Sequence, residues 1–212
     1  MQNSHIATDN QHPYADVTGV ILAGGGSRRM GRDKATLEWD GETLFARVLK
    51  LMQSFFNTVL IAGDRPDLAQ PEVPYFADHY PGSALGGLYT GLLRSPSPWI
   101  FSAPCDMPCA NPELVRLLLA RRDGSDIVVP RTPAGLEAVF ALYHRSSLEP
   151  IRQMLEEGRF RIVDLYPRMR VTTLECQSLS LDWQKALSNV NTPEDFRRLR
   201  TSGDDGKRAP AS

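Results

Sequence analysis

The stretch Leu22-Ala23-Gly24-Gly25-Gly26-Ser27-Arg28-Arg29-Met30-Gly31-Arg32-Asp33-Lys34 gathers the residue types that hold phosphate. Three consecutive glycines let the backbone approach a ligand closely and adopt positive φ. Their successive N–H groups suit an anion-binding nest. Arg28, Arg29, Arg32 and Lys34 then place four cations within seven residues. Arginine gives phosphate two parallel donors, and lysine gives it a compact charge. Such a loop would cradle a triphosphate and stabilise charge growing on a transferred phosphoryl group. The loop is not a Walker A sequence, because no Gly-Lys-Ser/Thr follows at the required spacing. Nor is it G-x-G-x-x-G, since Arg29 stands where the third glycine belongs. The bland alternative is a surface turn with solvated arginines. The apolar run before the glycines and the basic cluster after them argue against it.

A carboxylate stands in a second place of interest. Cys105-Asp106-Met107-Pro108 follows the apolar run Trp99–Ala103. One carboxylate, substrate phosphates and water form a common Mg²⁺ arrangement. The ion would neutralise a triphosphate and orient the α-phosphorus for in-line attack. An ordinary strand-end aspartate capping a turn is the competing reading. Asp78 lies in Phe76-Ala77-Asp78-His79-Tyr80-Pro81-Gly82 and precedes Ser83-Ala84-Leu85-Gly86-Gly87. Its carboxylate suits the donors of a base or ribose. Near the C-terminus, Asn189-Val190-Asn191-Thr192-Pro193-Glu194-Asp195 opens a helix. Free N–H groups at a helix start attract phosphate, and amide side chains both donate and accept. Plain capping by Thr192 or Asn191 would account for the same residues.

The elements that must position these residues alternate in type. Val17–Ala23, Thr58–Ala62, Trp99–Ala103, Asp126–Pro130, Ala138–Tyr143 and Val171–Leu174 read as short strands. Glu42–Phe55, Leu85–Leu93 and Ser147–Leu155 have helical apolar spacing. Asn111 caps a further helix with Pro112 at its first position, and Thr192 caps the last with Pro193 there. The alternation implies a single three-layer α/β/α domain with a mostly parallel sheet. In such sheets ligands bind beyond the carboxyl ends of the strands. The residues just after each strand are therefore the ones to read for chemistry. Residues 1–16 and 202–212 are polar and read as a disordered leader and tail flanking a domain over 17–201.

Composition excludes several classes. The net charge of -1 gives no global field for nucleic acid. No stretch nears the roughly 20 apolar residues that span a bilayer, and the polar leader is no signal peptide. Cys105, Cys109 and Cys176 are too few for a disulfide framework and fit a reducing cytoplasm. Cys105 and Cys109 read as two thiols at a strand end, because no second ligand pair has zinc spacing. His79 and His144 are not spaced as a base–nucleophile pair. The three tryptophans read as packing residues.

The run LAGGGSRRMGRDK resembles the nucleotide-binding signature of molybdenum cofactor guanylyltransferases. These are Rossmann-like nucleotidyltransferases. The resemblance extends from about Thr18 to Arg200. It takes in Asp106 within a C-D-x-P motif and Asn189–Asp195 as an N-V-N-T-P-E-[DE] motif. It implies that Leu22, Ala23, Gly24 and Gly25 meet the nucleotide, that Arg29 and Lys34 hold its phosphates, and that Asp106 binds Mg²⁺. Asp78 would help enclose the nucleotide, and Asn189 and Asn191 would lie near the acceptor. The reaction so implied moves GMP from GTP to molybdopterin, with protein partners in cofactor biosynthesis and molybdoenzyme maturation. The catalytic set would be Arg29, Lys34 and Asp106. Two departures stand out. Ser83-Ala84 replaces a more usual single proline. Ala62 replaces an asparagine after the second strand, which leaves Asp64 as the nearest polar side chain for the base.

Three rivals remain at this level. A cytidylyltransferase acting on the same acceptor more often reads L-A-A-G where this chain has Leu22-Ala23-Gly24-Gly25. Sugar-phosphate nucleotidyltransferases are usually longer and lack the N-V-N-T-P-E ending. A regulatory GTP-binding module would not need both Lys34 and Asp106.

Overall fold

A computed structural model of the chain describes residues 13–24, 34–190, 192 and 194–197, with Lys34 described by its backbone alone. The central strand, β1 (Val17–Ala23), is buried along its whole length. Val17, Ile21 and Ala23 enter one hydrophobic cluster, while Val20 and Leu22 enter another on the opposite face. A strand covered on both faces reads as a continuous apolar run, as this one does. β4 (Val59–Gly63) and β6 (Trp99–Pro104) pair with it on either side, both parallel. β5 (Tyr75–Phe76) extends the sheet beyond β4.

On the other flank, β9 (Ala141–His144) is antiparallel to β6 and to β7 (Ile127–Thr132), and β10 (Val171–Glu175) is parallel to β7. The order is therefore β10-β7-β9-β6-β1-β4-β5, with the short β8 (Gly135–Leu136) paired to β7. This is the mostly parallel sheet that the alternation implied. Because only β9 and the short β8 reverse, the carboxyl ends of β1, β4, β6, β7 and β10 share one edge. The turn leading into β9 lies on that edge too.

Helices cover both faces. α1 (Leu44–Gln53) and α3 (Pro112–Leu119) bury Phe45, Val48, Met52, Leu114 and Leu118 in the cluster that holds Ile21 and Phe101. α2 (Ala84–Arg94) and α4 (Leu148–Glu156) bury Leu85, Leu88, Ile151 and Met154 in the cluster that holds Val20 and Tyr143. Side-chain N-caps open α1, α2 and α3, the last at the Asn111 that the sequence marks. Thr43, Ser83 and Asn111 accept from the N–H groups of Ala46, Gly86 and Glu113. Thr192 and Asp195 bond reciprocally, the Asp195 N–H reaching Thr192 Oγ1 at 3.1 Å and the Thr192 N–H reaching Asp195 Oδ2 at 2.8 Å.

Two element expectations needed trimming. Glu42 and Thr43 form a strand, β3 (Glu42–Thr43), that pairs with β2 (Glu38–Trp39), so the helix starts only at Leu44. The tip of this hairpin, Asp40-Gly41, has φ of 53° and 77°, which turns the chain too tightly for a helix to begin there. The strand expected over Ala138–Tyr143 begins at Ala141, because Glu137–Phe140 is a turn closed by the Phe140 N–H on the Glu137 carbonyl. The turn at residues 13–16 packs on the domain through Tyr14 against Phe55 and Asp16 paired with Arg122 at 3.2 Å.

Candidate functional site

The first part of the site forms where β1 and β4 end together. Ala23 pairs with Gly63, and the Asp64 N–H bonds back to the Ala23 carbonyl at 3.2 Å. Gly63 has φ of 143°. A Cβ there would stand 2.3 Å from the Ala23 carbonyl oxygen, so only glycine lets the two chains close this edge. Gly24 follows as an exposed residue. A Cβ on it would lie 3.4 Å from Asp78 Oδ2, and one on Gly87 would lie 3.7 Å from Asp78 Oδ1. The Asp78 carboxylate thus sits between the end of β1 and the first turn of α2. The close approach of α2 depends on Gly86, whose Cβ would overlap the Tyr80 carbonyl at 1.9 Å.

Asp78 is poorly satisfied. Its Oδ1 is buried and has no hydrogen-bond partner. Burial raises its carboxyl to about 6, and the negative charge of Asp64 adds to that rise. The Thr90 hydroxyl opposes the shift, but its own proton is directed to the Gly86 carbonyl at 3.0 Å. A buried acceptor without a donor carries a desolvation penalty that a ligand's N–H or O–H would relieve.

The second part forms where β6 ends beside β1. The Cys105 N–H bonds to the Leu22 carbonyl at 3.2 Å, and Asp106, partly buried, comes next. Met107 is wholly buried and anchors the loop behind it. The Asp106 carbonyl accepts from the Val190 N–H at 2.9 Å. Val190 packs with Trp39 and Leu44. Asn189, one residue earlier, has a buried Oδ1 without a hydrogen-bond partner. The structure therefore joins Asp106 to the C-terminal asparagine motif, residues far apart in sequence.

Leu22, Ala23, Gly24, Asp78, Asp106 and Asn189 all lie along one edge of the sheet. Gly25, Arg28, Arg29, Arg32 and Asn191 lie outside the described residues, as does the side chain of Lys34. Ala62 is buried in β4, and its methyl group brings no hydrogen bond to the site. His144 stands at the opposite edge, its ring against Trp99, while His79 is exposed beside Tyr89. Trp39 and Trp99 are buried, as packing residues are. Among the described residues no group of three or more His, Cys, Asp or Glu side chains could hold a metal ion. No disulfide joins any two of the three cysteines.

Two features escaped the sequence reading. One is the need for glycine at Gly63, which arises only from its pairing with Ala23. The other is a cleft of about 310 Å³ between the β2–β3 hairpin, residues 108–111 and the helix α5 (Trp183–Ala186), lined by Trp39, Arg47, Cys109 and Lys185. Arg47 lies over the Trp39 ring at 4.5 Å and donates to the Trp39 carbonyl. Its charge is thereby committed to the hairpin.

Comparison with known proteins follows this geometry. A family described as the MobA-like NTP transferase domain matches residues 19–169. The molybdenum cofactor guanylyltransferase of Vibrio vulnificus is 34% identical over 189 residues, covering 85% of this chain and 93% of that protein. The one from Vibrio atlanticus is 33% identical over 190 residues, covering 86% and 94%. The crystal structure of molybdopterin-guanine dinucleotide biosynthesis protein A from Archaeoglobus fulgidus superposes with a TM-score of 0.76 at 22% identity, over 89% of this chain and 99% of that one. No helix among the described residues is long and apolar enough to cross a membrane.

Proposed function

The chain belongs to the MobA-like NTP transferase family, and from that premise we propose that it transfers GMP from GTP to molybdopterin in the cytoplasm. The observation that carries this reading is the bond from Val190 to Asp106. It brings a metal-type carboxylate and an acceptor-type asparagine segment to one point on the sheet edge. Leu22, Ala23, Gly24 and Asp78 occupy the neighbouring strand ends on one side.

In this reading the molybdopterin phosphate attacks the α-phosphorus of GTP. A phosphate oxygen–Pα bond forms, the Pα–O–Pβ bond breaks, and pyrophosphate leaves with the electron pair. The acceptor phosphate is already anionic at neutral pH, so no general base is needed. Catalysis is positioning plus stabilisation of charge. The backbone at Leu22–Gly25 takes the nucleotide, Arg29 and Lys34 take its phosphates, and Asp78 offers its unpaired oxygen to nucleotide donors. Asn189 and Asn191 receive the acceptor. A single carboxylate at the end of a strand fits Mg²⁺, which needs only one or two protein oxygens beside phosphates and water. Asp106 would hold the ion, and the ion would supply charge neutralisation of the triphosphate. Proteins of molybdenum cofactor delivery and use are the partners that this activity calls for.

The test is thermal unfolding of the protein with GTP, CTP, ATP or UTP and Mg²⁺, followed by pyrophosphate release on adding molybdopterin. A ligand specific for the native state, present at 100 times its Kd, stabilises by about 2.7 kcal/mol. Stabilisation by GTP alone and acceptor-dependent pyrophosphate release are expected. Stabilisation by CTP alone would keep the chemistry and overturn the base, which Ala62 makes an outcome worth measuring. Stabilisation by no nucleotide would sink the reading.

A further inference from the structure

The acceptor side of the sheet edge holds a carboxylate that the reaction above does not use. Glu137 follows β8 and opens the turn that leads into β9. Its N–H bonds to the Pro130 carbonyl at 3.0 Å, and its carbonyl accepts from Phe140. The backbone is thus fixed at both groups. Two residues on, the Val139 carbonyl accepts from Ser102 Oγ at 3.0 Å, which ties the turn to β6, the strand that ends at Asp106. Glu137 therefore stands on the carboxyl edge on one side of Asp106, and Asp78 stands on the other.

The side chain of Glu137 is partly buried, and among the described residues it makes no hydrogen bond or ion pair. Burial alone raises its carboxyl, with no cation to offset it. Asn189, whose buried oxygen has no partner, reaches the same stretch of the edge through the bond from Val190 to Asp106. Hydrogen bonds tie both segments to the strand that ends at Asp106, the Glu137 turn through Val139 and the Asn189 segment through Val190.

We propose that Glu137 recognises the pterin ring of the acceptor, its two carboxylate oxygens receiving the adjacent ring N–H and 2-amino donors. The inference rests on molybdopterin being the acceptor. A pterin presents those two donors side by side, spaced for one carboxylate, and an ionised acceptor strengthens both bonds. A site built around such donors discriminates against an analogue that lacks one, because the partly buried carboxylate then loses a charge-assisted bond.

The experiment uses the full chain and the Glu137→Gln variant, which keeps shape and loses one acceptor oxygen. Direct binding of 6-hydroxymethylpterin is followed by its fluorescence, with the corresponding 2-oxo lumazine as competitor, and steady-state transfer is measured with molybdopterin and GTP. In the native protein the pterin should bind at least about tenfold better than the lumazine, the value of one charge-assisted hydrogen bond. Glu137→Gln should lose that preference and raise KM for molybdopterin by a similar factor, with the GTP-induced thermal shift unchanged. An unaltered preference and KM in Glu137→Gln would overturn the proposal. So would an equal loss of GTP binding, which would make Glu137 a part of the fold. If the native protein binds pterin through Glu137 but transfers no GMP, the proposed reaction fails and this site stands. If it transfers GMP and Glu137→Gln is unaffected, the reverse holds.

Discussion

A side chain at Gly63 would meet the carbonyl oxygen of Ala23 at 2.3 Å, and its backbone φ of 143° admits glycine almost alone. These two residues end β4 and β1 in register and set the spacing of the nucleotide edge. Gly63→Ala should cost about 2–4 kcal/mol in urea unfolding, through strain and overlap together. It should also weaken the thermal shift with GTP, because Gly24 and Asp64 would be pushed apart. A variant as stable as the native chain would show that the edge can relax.

Asp106 should separate binding from chemistry. Asp106→Asn keeps the backbone carbonyl that receives Val190, so the variant should fold. Transfer should fall by roughly 10²–10³-fold, the usual cost of losing one group that stabilises transition-state charge. Chelation of divalent metal should stop transfer in the native protein and change little in the variant. Measured pyrophosphate release that survives chelation would remove Mg²⁺ from the reaction.

Much of this edge was legible in the sequence, because apolar runs that end in glycine or aspartate mark strand ends. Val17–Ala23 and Trp99–Ala103 are such runs, and both became central strands. The reversal at β9 was not legible, since Ala138–Tyr143 is apolar whichever way it runs. Its direction follows from pairing with Trp99–Ser102, a contact between segments 39 to 45 residues apart in the chain. For the same reason Glu137 drew no attention, although Gly135, two residues before it, marks a bend. The meeting of Asp106 with Val190 likewise belongs to tertiary structure. The resemblance grouped their motifs in one family, but only the fold brings them into contact.

Asn189 offers a test confined to the acceptor. Its Oδ1 is buried and unpaired, so removing it forfeits no hydrogen bond at that atom. Asn189→Ala should change stability by less than about 1 kcal/mol while raising KM for molybdopterin about tenfold. The GTP shift should be unaltered. A parallel rise in KM for GTP would move Asn189 to the nucleotide side and undo the division of the edge at Asp106.

Asp78 predicts opposite changes in stability and binding. Its carboxyl rises from 3.8 in the unfolded chain to about 6 in the native one, chiefly through burial. A raised native value means that the folded state holds the proton more tightly. The stability from this group is then complete below about pH 4, declines between pH 4 and 6, and is absent above. Asp78→Asn removes that dependence. The variant should match the native protein near pH 4 and exceed it by about 1–2 kcal/mol at pH 7, a value reduced from the full linkage because solvent reaches part of the side chain. GTP binding should move the other way. Nucleotide donors prefer the ionised carboxylate, so native affinity should fall as pH drops below 6, whereas Asp78→Asn should bind weakly at every pH. Unfolding curves and GTP titrations at pH 4.5, 6 and 7.5 would decide it. A variant that is more stable at pH 7.5 and still binds GTP at native strength would leave the Asp78 carboxylate without a ligand to receive.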